Sequence, residues 1–284
     1  MAINLRLGTT NDAETCGRIC YEAFAAIARQ HSFVSSFPSR EVTVGLLSMW
    51  LRHPGFYSVV AEADGQIVGS NFLDERSSIV GVGPITVDPA VQDGGVGRAL
   101  MHDVMRRSTE RAVPGIRLLT GYHTGSLSLY AKNDFQVRDH LACMQGAPPQ
   151  GEIPGYRTRR ATPADIEACR TVCRHVHGHD RAGELTDAIR QGTALVVEHN
   201  GRISGYATNL AFFAHAVGES NEDLKALIMT ADVFGGPGIL VPTTNIDLFR
   251  WCLDQGLRVS QLMVLMTVGL YNSPQGAYLA SIRY

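Results

Sequence analysis

The chain has 284 residues, of which 45% are hydrophobic and 18% charged, with a formal net charge of −2. That length fits one or two domains, since single cores rarely grow beyond about 250 residues, and so balanced a charge excludes a general pull toward nucleic acid or anionic lipid. No run of about 18 apolar residues is present to span a membrane, the N-terminus lacks the long apolar segment of a secretory signal, and the six cysteines show no secreted-framework spacing. A cytoplasmic protein with cysteines acting as small buried hydrophobes is expected.

In chain order, the pattern predicts a strand near Asn4 to Leu7, a helix from about Ala13 to Arg29 and a second helix over Glu41 to Arg52. A hairpin follows from Tyr57 to Asp74, turning at Asp64-Gly65, a pair suited to a type I′ turn because both centre positions need positive φ. Then come a strand from Val80 to Val87, a loop, and a helix reaching Arg111. A strand at Ile116 to Thr120, a short helix at Ser126 to Lys132 and a strand from Phe135 to Met144 end the first half. Strands alternating with helices imply a layered α/β fold.

Proline and glycine then crowd Gln145 to Gly155, which reads as a linker. The two sides of it resemble one another. Arg6, Thr9, Asp12, Glu14, Cys16 and Cys20 recur at constant offset as Arg159, Thr162, Asp165, Glu167, Cys169 and Cys173, and the Asp64-Gly65 hairpin recurs at Asn200-Gly201. The expected division is a first domain over residues 1–147, a linker over 148–155 and a second domain of like topology over 156–284.

One segment of the first half carries chemistry. The strand-like run Ile85-Thr86-Val87 ends at Pro89, three glycines fall within Gly94 to Gly97, and a helical pattern begins there with Leu100, Met101, Val104 and Met105. Glycine lets backbone approach a ligand closely, and a helix start offers unpaired N–H groups and a positive dipole end. Together they suit a pyrophosphate. The dinucleotide pattern G-x-G-x-x-G is incomplete and the Gly-Lys-Ser/Thr of a P-loop is absent. On the glycines alone, an ordinary turn before a helix stands beside the anion site as a reading.

The segment resembles motif A of the GNAT acetyltransferase superfamily, V-x-P-x-x-(Q/R)-x-x-G-x-(G/A), which Val87, Pro89, Gln92, Gly95 and Gly97 satisfy at every spacing. A second family pattern, N-x-x-A-x-x-L-Y-x-x-x-G-F, is similar to residues 123–135: Leu129, Tyr130 and Phe135 match, while His123 replaces the asparagine and Asp134 the glycine. The resemblance implies two tandem domains, each a mostly antiparallel central sheet flanked by helices. It implies a loop over Gln92, Asp93, Gly94, Gly95, Val96, Gly97 and Arg98 that grips the pyrophosphate of acetyl-CoA, and a splayed strand whose backbone at Ile85, Thr86 and Val87 holds the pantetheine arm. Ser126 and Lys132 are further cofactor contacts on the same grounds, and Tyr130 is placed beside the thioester sulfur, where a phenol can protonate the departing thiolate.

The implied activity is direct transfer of acetyl from acetyl-CoA to a primary amine on a small molecule or peptide, without a covalent intermediate and without a metal. The alternative is a non-catalytic acyl-CoA-binding module. Asp74, Glu75 and His123 are the candidates for a general base, His123 through its pKa range. The stretch His31 to Phe37, between the first two helices, is expected by family analogy to border the acceptor site.

The second half reads as degenerate. Cys252 occupies the tyrosine position, and Glu219, Glu222 and Asp223 stand where phosphates would bind, so its helix is expected to be capped by its own side chains. It is left to shape the substrate cleft, to form a homodimer surface, or to stabilise the first half. Cys169, Cys173 and His177 share a helical face that could suggest zinc; the matching stripe Cys16, Cys20 and Phe24 favours a core face instead.

Overall fold

The computed structural model describes residues 2–92, 94–121 and 124–281. The first half contains β1 (Asn4–Leu7), α1 (Ala13–His31), α2 (Arg40–Arg52), β2 (Phe56–Ala63), β3 (Gln66–Asp74), β4 (Ile79–Val82), β5 (Thr86–Val87), α3 (Val96–Glu110), β6 (Gly115–Gly121), α4 (Thr124–Ala131) and β7 (Gln136–Gln145). The second contains β8 (Tyr156–Arg160), α5 (Ile166–His177), α6 (Ala182–Arg190), β9 (Leu195–His199), β10 (Arg202–Ala207), β11 (Ala216–Gly218), α7 (Asn221–Ile228), β12 (Ile239–Pro242), α8 (Ile246–Asp254), β13 (Arg258–Gly269) and β14 (Ala277–Leu279). This is the expected layered α/β architecture.

The repeat extends to individual hydrogen bonds. Before α1, the Asp12 carboxylate accepts from the Thr9 backbone N–H at 2.7 Å and the Thr9 hydroxyl at 2.9 Å, satisfying a donor that a helix start leaves open. Before α5, Asp165 accepts from Thr162 at the same two distances. Arg6 grips Asp12 and Glu62, and Arg159 grips Asp165 and Glu198, all at 2.8 Å. Each pair of charges pins the first strand of its half to the second and to the capping loop. The turns at Asp64-Gly65 and Asn200-Gly201 both show positive φ at both centres, 50° and 75° in one, 51° and 75° in the other.

The boundary near residue 150 divides the sequence but not the sheets. One sheet runs β1-β2-β3-β4-β6-β13-β7-β12, with β5 paired to β3. The other runs β14-β11-β10-β9-β8. Pairing is antiparallel throughout, except between β4 and β6. Strand β13, from the second half, lies between β6 and β7 of the first, pairing Met263 with Gly121 on one side and Leu262 with Ala142 on the other. Strand β7 in turn lies between β13 and β12 of the second half. The two halves thus interleave their strands within the nine-stranded sheet, whereas the five-stranded sheet is built from the second half alone.

Apolar residues cover both faces of the sheet. On the α1 and α2 side, Cys16, Cys20, Leu47 and Trp50 pack on Val60 and Phe72; on the α3 side, Leu100, Met101 and Val104 pack on Val59 and Leu73. All six cysteines are free and buried. Cys169 and Cys173 lie in the core of the second half, and the His177 and His215 rings meet there at 3.1 Å between their Nε2 atoms. Burial lowers both imidazoles well below their ordinary range. No helix among the described residues is long and apolar enough to cross a membrane.

Two outcomes follow. Residues 1–147 alone lack the strand that lies between β6 and β7, so they should give no cooperative thermal transition; co-expression with residues 148–284 should restore one. A cooperative transition from the isolated fragment would contradict the interleaving. Separately, the hydrogen bond from Arg6, assisted by those from Thr9, lowers the Asp12 carboxyl from 3.8 to about 2. Its contribution is therefore complete above about pH 4 and lost as pH falls through about 2. Denaturant midpoints of Arg6→Ala against the unaltered protein should differ fully at pH 7 and 5, with the gap shrinking below pH 4. A gap that stays constant down to pH 2.5 would speak against this linkage.

Candidate active site

The predicted single strand from Val80 to Val87 is broken in the structure, and the break makes the site. Strand β4 pairs with β3 at Leu73–Val82, and β5 pairs with β3 at Gly69–Val87 and Ser70–Thr86. Between these pairings β3 advances three residues, from Leu73 to Ser70, while its partner advances four, from Val82 to Thr86. The extra residue is a bulge, which bends and twists the strand that carries it. Gly83 still keeps the β4 register, its N–H donating to the Phe72 carbonyl at 2.8 Å, so the extra residue falls between Gly83 and Thr86, where Pro84 has no N–H to offer a ladder. The parallel pairing of β4 with β6 ends at Gly81–Arg117. Beyond it, β5 follows β3 and parts from β6.

A cavity of about 480 Å³ fills the gap. Ala23, Phe24, Ile27, Phe37 and Trp50 line it from the α1 and α2 side of the sheet; Gly97, Leu129 and Tyr130 line it from the α3 and α4 side. It therefore passes through the sheet where the strands diverge. The second half supplies Phe212, Phe213, Gln261 and Met263.

Most of the sequence-predicted residues come together here. Ile85, Thr86, Val87, Gln92, Gly95, Val96, Gly97, Arg98, Ser126, Tyr130 and Lys132 all line the cavity. Gly94 is described but is not part of the lining. Asp93 and His123 lie outside the described residues. Phe33, Val34, Ser36 and Phe37 bring the stretch between the first two helices to the cavity as well.

The geometry at α3 suits an anion. Its N-cap is Gly95, at φ 84°, with no side-chain cap. The first N–H groups of the helix are thus left to an outside acceptor at the positive end of the dipole. A Cβ at Gly97 would meet Val87 and Leu129 no closer than 3.7 and 3.8 Å. Protein packing therefore does not require glycine there; the missing side chain leaves room for something else. Arg98 and Lys132 are exposed on this rim, and neither forms an ion pair among the described residues.

Tyr130 sits on α4, and its ring lies 6.1 Å from that of Phe135. Asp134 between them takes φ 65°, the left-handed conformation that replaces the glycine of the second motif. Burial pushes the Tyr130 phenol well above its ordinary value, so it stays protonated at neutral pH and can only give a proton.

Glu75 is not brought to this site. Its carboxylate accepts from Arg107 at 3.0 and 3.1 Å and from Arg111 at 2.7 Å, and its side chain is 6% exposed. Arg107 lies twelve residues beyond Gly95, which is about 18 Å along the helix axis. Glu75 thus ties the far end of α3 to the end of β3, and the expectation that it acts as a base is corrected. Asp74 is likewise engaged, by the Arg76 guanidinium at 2.5 and 2.8 Å.

The equivalent place in the second half is closed. Ser220 and Asp223 form a capping box on α7, Glu219 is paired with Arg202 at 2.6 Å, and Glu222 with Lys225 at 2.6 Å. Asn221 and Asn245 exchange side-chain hydrogen bonds at 3.0 and 2.7 Å, joining the starts of α7 and α8. Cys252, at the tyrosine position, is fully buried, and burial pushes its thiol up to about 12.

Sequence reasoning missed Phe212, Phe213, Gln261 and Met263, because no local pattern tells that a strand more than 130 residues downstream joins this sheet. The adjacent phenylalanines, between two strands of the second half, were the signal available.

The model of the acetyltransferase (GNAT) domain family matches residues 54–137. No match was found among curated protein sequences. Among solved structures, a putative acetyltransferase from Pyrococcus horikoshii is similar, with a TM-score of 0.76, 18% identity, and coverage of 97% of this chain and 94% of that one. A GCN5-related N-acetyltransferase from Sphaerobacter thermophilus gives 0.62 at 14% identity, covering 95% and 96%. A tandem GNAT protein from the clavulanic acid biosynthesis pathway gives 0.59 at 15% identity, covering 96% and 100%. These likenesses extend over both halves and show a shared fold.

Gly97→Glu should leave the thermal transition in place and weaken any binding of coenzyme A, measured by calorimetry, by roughly 100-fold or more, since a carboxylate at the helix start repels phosphate. Affinity within about twofold of the unaltered protein would remove the anion site.

Proposed function

We propose that this chain is a member of the GNAT acetyltransferase superfamily whose first half binds acetyl-CoA and transfers the acetyl group directly to a primary amine. The observation that carries the reading is the uncapped start of α3, with Gly95 at positive φ and open space at Gly97, beside a gap that parts β5 from β6. In this reading the N–H groups at the start of α3, with Arg98 and Lys132, hold the phosphates. The pantetheine arm runs along Ile85 to Val87.

The amine nitrogen attacks the thioester carbonyl carbon. A C–N bond forms, and negative charge gathers on the carbonyl oxygen, where a main-chain N–H near Val87 can stabilise it. The C–S bond then breaks, its electron pair stays on sulfur, and the Tyr130 phenol supplies the proton that completes the free thiol. Water takes the proton that the amine gives up and restores the phenol. The products are an N-substituted acetamide and coenzyme A.

The second half is read as a degenerate domain that binds no cofactor, because its own side chains satisfy the start of α7. Its contribution is instead to the cavity wall and to the interleaved strand.

Tyr130→Phe should lower kcat for amine acetylation by about 100-fold, with the acetyl-CoA Kd within about twofold. Equal losses in both would assign Tyr130 to binding and remove it from the proton transfer.

A further inference from the structure

Both walls of the cavity on the α1 and α2 side are aromatic. The Phe24 ring meets Phe37 edge-on at 5.3 Å, Phe37 meets Phe213 at 5.5 Å, and Phe213 meets Phe212 at 5.4 Å. This chain of rings starts on α1, passes through the loop before α2 and ends in the second half. It faces Gln261 and Met263, which share one face of β13, and Leu119 of β6.

Charge is missing at this end. Among the described residues lining the cavity, Arg98 and Lys132 are the only ionic side chains, and both stand at the phosphate rim on the opposite side of the sheet. Among the described residues at this end, no carboxylate is available to hold a second ammonium, and no cation to hold an acceptor carboxylate. Either charge, taken into such a pocket without a partner, would lose hydration with nothing to replace it.

One polar group does face the space. Gln261 is 8% exposed, lines the cavity, and makes no side-chain hydrogen bond among the described residues. Its amide opens on the cavity, where a ligand's polar group can meet both its donor and its acceptor. A carboxamide offers one N–H face and one C=O face, which match an uncharged hydrogen-bonding group.

Resting on the acetyl-transfer reading, we infer that the acceptor is a small primary amine carried on an aromatic body, with no other charge, and that Gln261 receives its polar group. Phe213 and Gln261 make acceptor specificity a property of both halves. The amine reacts as the neutral free base: its lone pair forms the C–N bond, and its surplus proton leaves to water.

The test uses the full chain with acetyl-CoA and a panel of amines, following thiol release: 2-phenylethylamine and tyramine against spermidine, lysine, glutamate and glucosamine. The aromatic amines should exceed the others in kcat/KM by about tenfold or more, the discrimination an aromatic pocket can give. Phe213→Ala and Gln261→Leu should raise KM for tyramine by about tenfold, with acetyl-CoA Kd unchanged by calorimetry. Spermidine, glucosamine or an amino acid as the best acceptor would overturn the inference, as would an unchanged KM in both variants. Acetyl-CoA binding with no turnover of the aromatic amines also overturns it, while leaving the cofactor site intact. Failure to bind acetyl-CoA at all would instead remove the reading beneath it.

Discussion

The site depends on one mismatch in a hydrogen-bond ladder. The segment from Ile79 to Val87 stays with β3 along its length, but it uses one residue more than β3 does, and the surplus falls between Gly83 and Thr86. A strand bulged on one side cannot keep register on the other. Pairing with β6 therefore stops at Arg117, and the rest of β6 is held only by β13. From that parting come the passage through the sheet, the backbone left open along Ile85 to Val87, and the meeting of residues from opposite faces. The start of α3 is aimed into the same gap because the connection from β5 is only eight residues long.

Two copies of one plan have diverged most at their helix starts. In the first half Gly95 leaves α3 uncapped; in the second, Ser220 and Asp223 satisfy α7, and Asn221 and Asn245 lock it to α8. The capping boxes at Thr9 and Thr162 and the arginine clamps at Arg6 and Arg159 are preserved almost to the tenth of an ångström. What was kept is the framework that orients the first two strands and the first helix. What differs is whether an anion has N–H groups to meet. On the proposed reading, the second half has exchanged a ligand for its own side chains and become wall and brace.

Much of the framework was legible in the sequence, because it rests on local chemistry. Asp-Gly and Asn-Gly turns, Thr-x-x-Asp caps and helical apolar spacing act within a few residues. The grip at Gln92 to Arg98 was legible for the same reason, as strand end, glycines and helix start are contiguous. Non-local pairing was not legible. Nothing near Gln261 indicates that β13 enters the first half's sheet, so the aromatic wall from Phe212 and Phe213 was missed. The bulge was hidden inside a run that reads as one strand. Glu75 illustrates the converse error: a carboxylate at a strand end looked free, but Arg107 and Arg111 lie one helix length away from the glycines and claim it.

The interleaved strand also shapes how the protein must be made. Gly121 at the end of β6 and Arg258 at the start of β13 are separated by nearly half the chain. At about 5–20 residues per second on the ribosome, β6 waits roughly 7–27 s in the emerging polypeptide, and β7 roughly 6–23 s, before the strand that joins them exists. Until then both present bare edges, the kind that recruit neighbouring chains. The nascent first half is thus held incomplete by its own topology, and the emergence of β13 is what seals it.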